Sequence, residues 1–167
     1  MKDKNILVLG VGNILLTDEG FGVRAVEYLQ THYDWPPNVR LMDGGTSGLM
    51  LMGELQQCDV VIVLDVVLGS GEPGSVYLLE GEDLRNSLSF RDSMHQTDLL
   101  DTLISCELAG HRPQAFVIGF QPYDFKTMSV ELTPEAQAAL PDFCAKVVSV
   151  MAEWGIVAKA RTPSSLP

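Results

Sequence analysis

Apolar residues along this chain come in two rhythms. Continuous runs such as Ile6-Leu7-Val8-Leu9, Val60-Val61-Ile62-Val63-Leu64 and Phe116-Val117-Ile118 suit strands buried on both faces of a sheet. Between them lie stretches whose apolar positions recur every three or four residues, the spacing of a helix with one buried face. The runs predict strands over residues 5–10, Val39 to Met42, Val60 to Val67, Val76 to Glu80 and Ala115 to Phe120. The spaced stretches predict helices from Asp18 to Tyr33, from Gly48 to Gln57, from Ser93 to Ala109, and from Thr133-Pro134 to Trp154-Gly155. Gly22, Val26, Leu29 and Tyr33 share a stripe on the first helix. Leu99, Leu103, Cys106 and Gly110 share one on the third, and Leu140, Phe143, Val147, Val150 and Trp154 one on the last. Thr133-Pro134 reads as a cap followed by a first-turn proline, and Pro141 as a point where the helix restarts.

The link from Leu68 to Ser75, LGSGEPGS, is too short for a parallel crossover, which needs a dozen or more residues. The fourth strand is therefore expected to run antiparallel to the third. Strands alternating with helices give an α/β fold with a five-stranded, mostly parallel sheet. Residues 1–161 read as one domain, residues 81–94 as a polar loop, and Thr162 to Pro167 as a disordered tail.

Composition changes this picture little. A chain of 167 residues, 46% hydrophobic and 20% charged, fits one domain with a full core. The formal net charge of −11 argues against nucleic acid or an anionic membrane as partner. No apolar run approaches the ~20 residues of a membrane span. The opening MKDKNILVLG enters a strand at once, leaving no room for a signal peptide. Cys58, Cys106 and Cys144 are isolated and read as reduced, buried thiols. A cytoplasmic monomer is expected.

Three polar residues stand where the apolar pattern does not want them. Glu19 lies three residues before Gly22, on the buried stripe of the first helix, where a carboxylate costs several kcal/mol unless something pairs with it. Asp65 interrupts the apolar run of the third strand; a cation nearby would keep it charged. His95 lies one turn before Leu99 on a buried stripe. A capping box of Ser93 and Gln96 puts it in the first helical turn, where the helix dipole favours neutral, metal-binding imidazole. Two carboxylates and an imidazole with an open position suit zinc or another borderline divalent metal such as nickel. All three can converge at the carboxyl edge of the sheet, where open α/β folds bind ligands. Asp43, also at a strand end, is a weaker candidate for a supporting or catalytic carboxylate. Asp18 reads as the N-cap of the first helix.

The segments GVGNILLTDEGFGV, DGGTSG from Asp43 to Gly48, LDV around Asp65 and MHQ around His95 resemble the hydrogenase maturation endopeptidases, in the right order over roughly residues 5–160. The first two motifs are specific and the last two short; Met94 stands where the family often has proline. The resemblance implies a three-layer fold, a twisted, mostly parallel five-stranded sheet between helices. It also implies a protease that removes a C-terminal peptide from the large-subunit precursor of a nickel-containing hydrogenase. Glu19, Asp65 and His95 match the family's metal-binding positions. The resemblance further implies that the nickel is presented by the precursor, and zinc or cadmium is expected to substitute in vitro. No serine or cysteine has a nucleophile setting, so metal-assisted hydrolysis is expected.

Two rivals make different predictions. A nickel-binding maturation chaperone would use the same ligands without cleaving. A dinucleotide-binding module would use Gly10-Val11-Gly12, but Leu15 occupies the third glycine position of that fingerprint.

Overall fold

The computed structural model describes residues 1–45, 51–81 and 102–165. In chain order the elements are β1 (Ile6–Val11), a 3-10 turn (Thr17–Gly20), α1 (Phe21–His32), β2 (Tyr33–Asp34), β3 (Val39–Gly45), α2 (Met52–Gln57) and β4 (Val60–Val66). They continue with β5 (Val76–Glu80), α3 (102–108), β6 (Gln114–Phe120), α4 (Pro134–Glu153), β7 (Lys159–Ala160) and a last 3-10 turn at Pro163–Ser165.

Five strands form one sheet in the order β3-β1-β4-β6-β5, all parallel except β5. The expected antiparallel strand is present, but its partner is β6 rather than β4. Both edges of β4 are already taken by β1 and β6. The link after β4 instead carries the chain past β6. The Val67 N–H donates to the Phe120 carbonyl at 3.0 Å and the Gln121 N–H to the Ser75 carbonyl at 2.8 Å. Tyr77 then pairs with Gly119.

Side-chain alternation along the strands fills two cores. Ile6, Val8, Ile62, Leu64 and Ile118 face α1 and α4; Leu7, Leu9, Val61, Val63 and Val117 face Leu55 of α2 and Leu103 and Cys106 of α3. Helices on both faces of the sheet make the three layers. Phe21, at the start of α1, stacks on Phe120 with ring centroids 3.8 Å apart and meets Phe143 of α4 edge-on at 5.0 Å. These rings fix where α1 begins.

Three helix expectations need correction. α4 runs unbroken through Pro141. The missing N–H costs about 3 kcal/mol in a helix interior, but Leu140, Phe143, Cys144 and Val147 bury one continuous face across it. Tyr33 leaves α1 for an extended pairing with Ala160. Gly110, exposed at φ 105, ends α3 instead of lining its stripe, with the His111 N–H bonded back to the Cys106 carbonyl at 3.0 Å. Among the described residues no helix is long and apolar enough to cross a membrane.

Candidate functional site

The carboxyl edge of the sheet is built on close backbone approach. A Cβ on Gly22 would lie 2.1 Å from the Leu64 carbonyl oxygen and 2.5 Å from that of Val11, so the first turn of α1 rests directly on β1 and β4. A Cβ on Gly12, at φ +141, would lie 2.0 Å from the Glu19 carbonyl oxygen. The glycines after β1 thus make room for the chain's own helix and turn.

Asp65 ends β4 opposite Gly119 and is 1% exposed. Its Oδ1 accepts the Val66 N–H at 2.7 Å. Alternation with Val61 and Val63 turns it toward the layer of α2 and α3. His95 lies outside the described residues. Glu19 is half-buried and sits in the 3-10 turn, against β4, not on the stripe of α1. That helix begins two residues later, so the expectation of Glu19 on a helical core stripe was wrong in its geometry. Glu19 nevertheless stands at the edge that Asp65 closes.

The fully buried carboxylate of this turn is Asp18, at 0% exposure. It does not cap α1. Its Oδ2 accepts the backbone N–H of Tyr123 at 2.9 Å and of Asp124 at 3.1 Å, and its Oδ1 accepts that of Thr133 at 2.9 Å. The Thr133 hydroxyl donates to the same carboxylate and accepts the Ala136 N–H, so it is the N-cap of α4. Sequence patterning missed this role because every partner is more than a hundred residues away.

Asp43 pairs with Gly10 and is exposed. Its Oδ1 accepts the Gly45 N–H at 2.8 Å. It shares strand parity with Val39 and Leu41, which face α1, so alternation puts it on the opposite face from Asp65. Among the described residues no three His, Cys, Asp or Glu side chains gather closely enough to hold a metal ion. Of the three predicted ligands, Glu19 and Asp65 are described, and both lie at this edge.

The loop after Asp65 is fastened too. The Gly69 N–H donates to Gln121 Oε1 at 2.7 Å and the Gly71 N–H to the Tyr77 hydroxyl oxygen at 2.8 Å. On the other flank, residues 15–17 pair with residues 127–129. Ser129 N–H donates to the Leu15 carbonyl and Thr17 N–H to the Ser129 carbonyl, each at 3.0 Å. Ile14, Leu15, Met128 and Val130 are left exposed there, Met128 by 80%. Hydrogen bonds from the Thr127 side chain, then from the backbone N–H groups of Thr127 and Lys126, hold the half-buried Asp124 below the usual carboxylate range.

The thiols offer no nucleophile. Burial pushes Cys144 up to about 12 and Cys58 up to about 11, and raises Cys106. Only the thiolate attacks. His111, exposed after α3, hydrogen-bonds the Cys58 carbonyl through Nε2 at 2.7 Å.

Comparison with known proteins agrees with this architecture. The family model described as hydrogenase maturation protease (HycI) matches residues 23–150. The hydrogenase expression/formation protein HupD of Bradyrhizobium diazoefficiens is 39% identical over 163 residues, covering 96% of this chain and 85% of its own. The hydrogenase 2 maturation protease of Escherichia coli is 35% identical over 158 residues, covering 93% and 96%. The solved hydrogenase maturating endopeptidase HybD from E. coli superimposes with a TM-score of 0.87 over 94% of this chain and 98% of its own, at 35% identity. A [NiFe] hydrogenase maturation protease from Thermococcus kodakarensis, at 21% identity, shares the fold with a TM-score of 0.73 over 87% of this chain and 98% of its own.

Proposed function

Because the chain belongs to the hydrogenase maturation protease family, we propose that it removes a C-terminal peptide from a hydrogenase large-subunit precursor once nickel has been inserted. Endopeptidase activity comes with membership. The nickel requirement, the ligand set and the cleaved bond are our reading.

The observation that carries it is the pairing of two elements at one edge. Asp65, 1% exposed, closes β4, and the turn bearing Glu19 packs against that same strand. Glu19, Asp65 and His95 hold the nickel, which arrives as part of the substrate. Hard carboxylate oxygens and an imidazole nitrogen form a donor set that suits a borderline divalent ion. The nickel supplies a Lewis acid beside the scissile carbonyl. The protein's own part is to present the donors and to dock the precursor. Exposed Ile14, Leu15, Met128 and Val130 flank the Glu19 turn, as a protein-binding surface would. Asp43 keeps a weaker place as a catalytic carboxylate, since its oxygen is engaged by the Gly45 amide. Free thiols at Cys58, Cys106 and Cys144 support a reducing compartment, the cytoplasm.

This reading makes cleavage a checkpoint, because precursor without nickel lacks the atom that docks it. The test is mass spectrometry of nickel-loaded and unloaded precursor after incubation with wild type and with Glu19→Gln, Asp65→Asn and His95→Ala. Only loaded precursor should shorten, and each variant should slow it by about 10- to 100-fold or more. Full activity in all three variants would remove the ligand assignment. Equal cleavage of unloaded precursor would remove the checkpoint. Tight binding without any shortening is the chaperone's behaviour.

A further inference from the structure

We infer that Asp18 is a positioning residue for Glu19: its buried carboxylate ties the Glu19 turn to residues 123–133 and so fixes where Glu19 stands. The inference rests on the assignment of Glu19 to the site.

Asp18 is fully enclosed and takes three backbone N–H donors and one hydroxyl, from Tyr123, Asp124 and Thr133. Its own N–H donates to the Asp124 carbonyl at 2.9 Å, so backbone and side chain hold the same segment. One step earlier, Thr17 has φ 55. A β-branched residue takes that left-handed conformation only under restraint. The restraint is visible: the Thr17 N–H donates to the Ser129 carbonyl, and its hydroxyl to the Thr127 carbonyl. The kink at Thr17 turns Asp18 inward and brings Glu19 back toward β1, where its carbonyl presses on Gly12. Its N–H closes on the Leu16 carbonyl at 3.1 Å. Glu19 thus stands in a turn whose two preceding residues are both fastened to residues 123–133. Asp18 itself has its oxygens spent on amides and cannot take the ligand's place.

The geometry implies a specific failure. Asp18→Asn keeps the shape but turns an acceptor into an NH2 group facing amide donors, and the turn loosens. A shift of about 1 Å at a catalytic group can lower a rate by about 10²-fold. A residue that only stabilises the fold would lower activity whatever stands at position 19. A positioning residue acts through Glu19 and has nothing left to lose once Glu19 is gone.

The experiment is a double-mutant cycle on the full chain: wild type, Asp18→Asn, Glu19→Gln and the double variant. Single-turnover cleavage of nickel-loaded precursor is measured alongside hydrogen exchange of peptides spanning 13–20 and 121–133. Asp18→Asn is expected to cut the single-turnover rate by about 30- to 100-fold, to change half-saturation by less than about threefold, and to speed exchange in both peptides. In the Glu19→Gln background it should add less than about a twofold loss. An equal fold-loss in both backgrounds, or a wild-type rate for Asp18→Asn, overturns the inference alone. Wild-type cleavage by Glu19→Gln overturns the site assignment and this inference with it. Should Asp18→Asn not fold, Thr133→Val removes the hydroxyl's bond to the carboxylate, and with it the cap of α4, while leaving the backbone amide, and the same non-additivity is required of it.

Discussion

Gly22→Ala separates packing from helix propensity at the point where the site is assembled. In isolation the change favours a helix by about 1 kcal/mol. Here the new methyl would start 2.1 Å from the Leu64 carbonyl oxygen and 2.5 Å from that of Val11. Carbon and carbonyl oxygen settle at about 3.3 Å, so the first turn of α1 must retreat by roughly 1 Å. Neither obstacle is a side chain that can swing away; both are sheet backbone. Overpacking of this kind costs about 1–3 kcal/mol, which against the propensity gain leaves a net loss of up to about 2 kcal/mol. The melting temperature should fall by up to about 8 °C for a domain of this size. Gly53→Ala in α2 is the control, because a Cβ there meets nothing within 4 Å; it should gain about 0.5–1 kcal/mol. Urea unfolding reads both. The retreat also carries the preceding Glu19 turn away from β4, so cleavage of precursor by Gly22→Ala should fall by about 10²-fold. A Gly22→Ala protein as stable and as active as wild type would show that α1 does not bear on the sheet at that point.

Phe143→Ala, which removes the ring that meets Phe21 at 5.0 Å and Phe120 at 6.0 Å, should cost about 3–5 kcal/mol in urea unfolding; a loss under about 1 kcal/mol would contradict the packing. Pro141→Ala, exposed on α4, should stabilise by about 1–3 kcal/mol by restoring a helical N–H, and a destabilised protein would show that the proline is not a defect. The folded chain holds Cys144 up to about 12 and Cys58 up to about 11, while the unfolded chain ionises them near pH 8.5. Their contribution is therefore complete below that pH and fades as pH rises from there through the folded values. Between pH 8 and 10.5 the urea midpoint should fall, and less steeply in Cys58→Ala/Cys144→Ala; parallel curves would remove the thiols as the cause.

Much of this fold could be read from the chain because buried parallel strands write themselves as unbroken apolar runs. β1, β4 and β6 lie within a residue or so of where Ile6, Val60 and Ala115 announced them. The partner of β5 could not be read, since a short link limits direction but not which neighbour has a free edge. Pro141 misled for a related reason: the local rule breaks a helix, and only the long buried face of α4 outweighs it. The site was partly legible. A carboxylate inside the run of β4 marked Asp65 correctly as buried. The same logic found the right turn but misplaced Glu19 on a helical stripe, whereas it is half-buried in a 3-10 turn. The enclosed carboxylate is Asp18, and what encloses it comes from residues 123–133. No periodicity within one helix can register a partner that distant.

The most direct measurement is anomalous diffraction from crystals of the chain soaked with cadmium or zinc, and of its complex with nickel-loaded precursor. The account predicts one peak bonded at about 2.0–2.4 Å by a Glu19 oxygen, an Asp65 oxygen and a His95 nitrogen, with the precursor's nickel at the same place in the complex. A peak that lacks any of those three side chains, or none at that edge of the sheet, would contradict it.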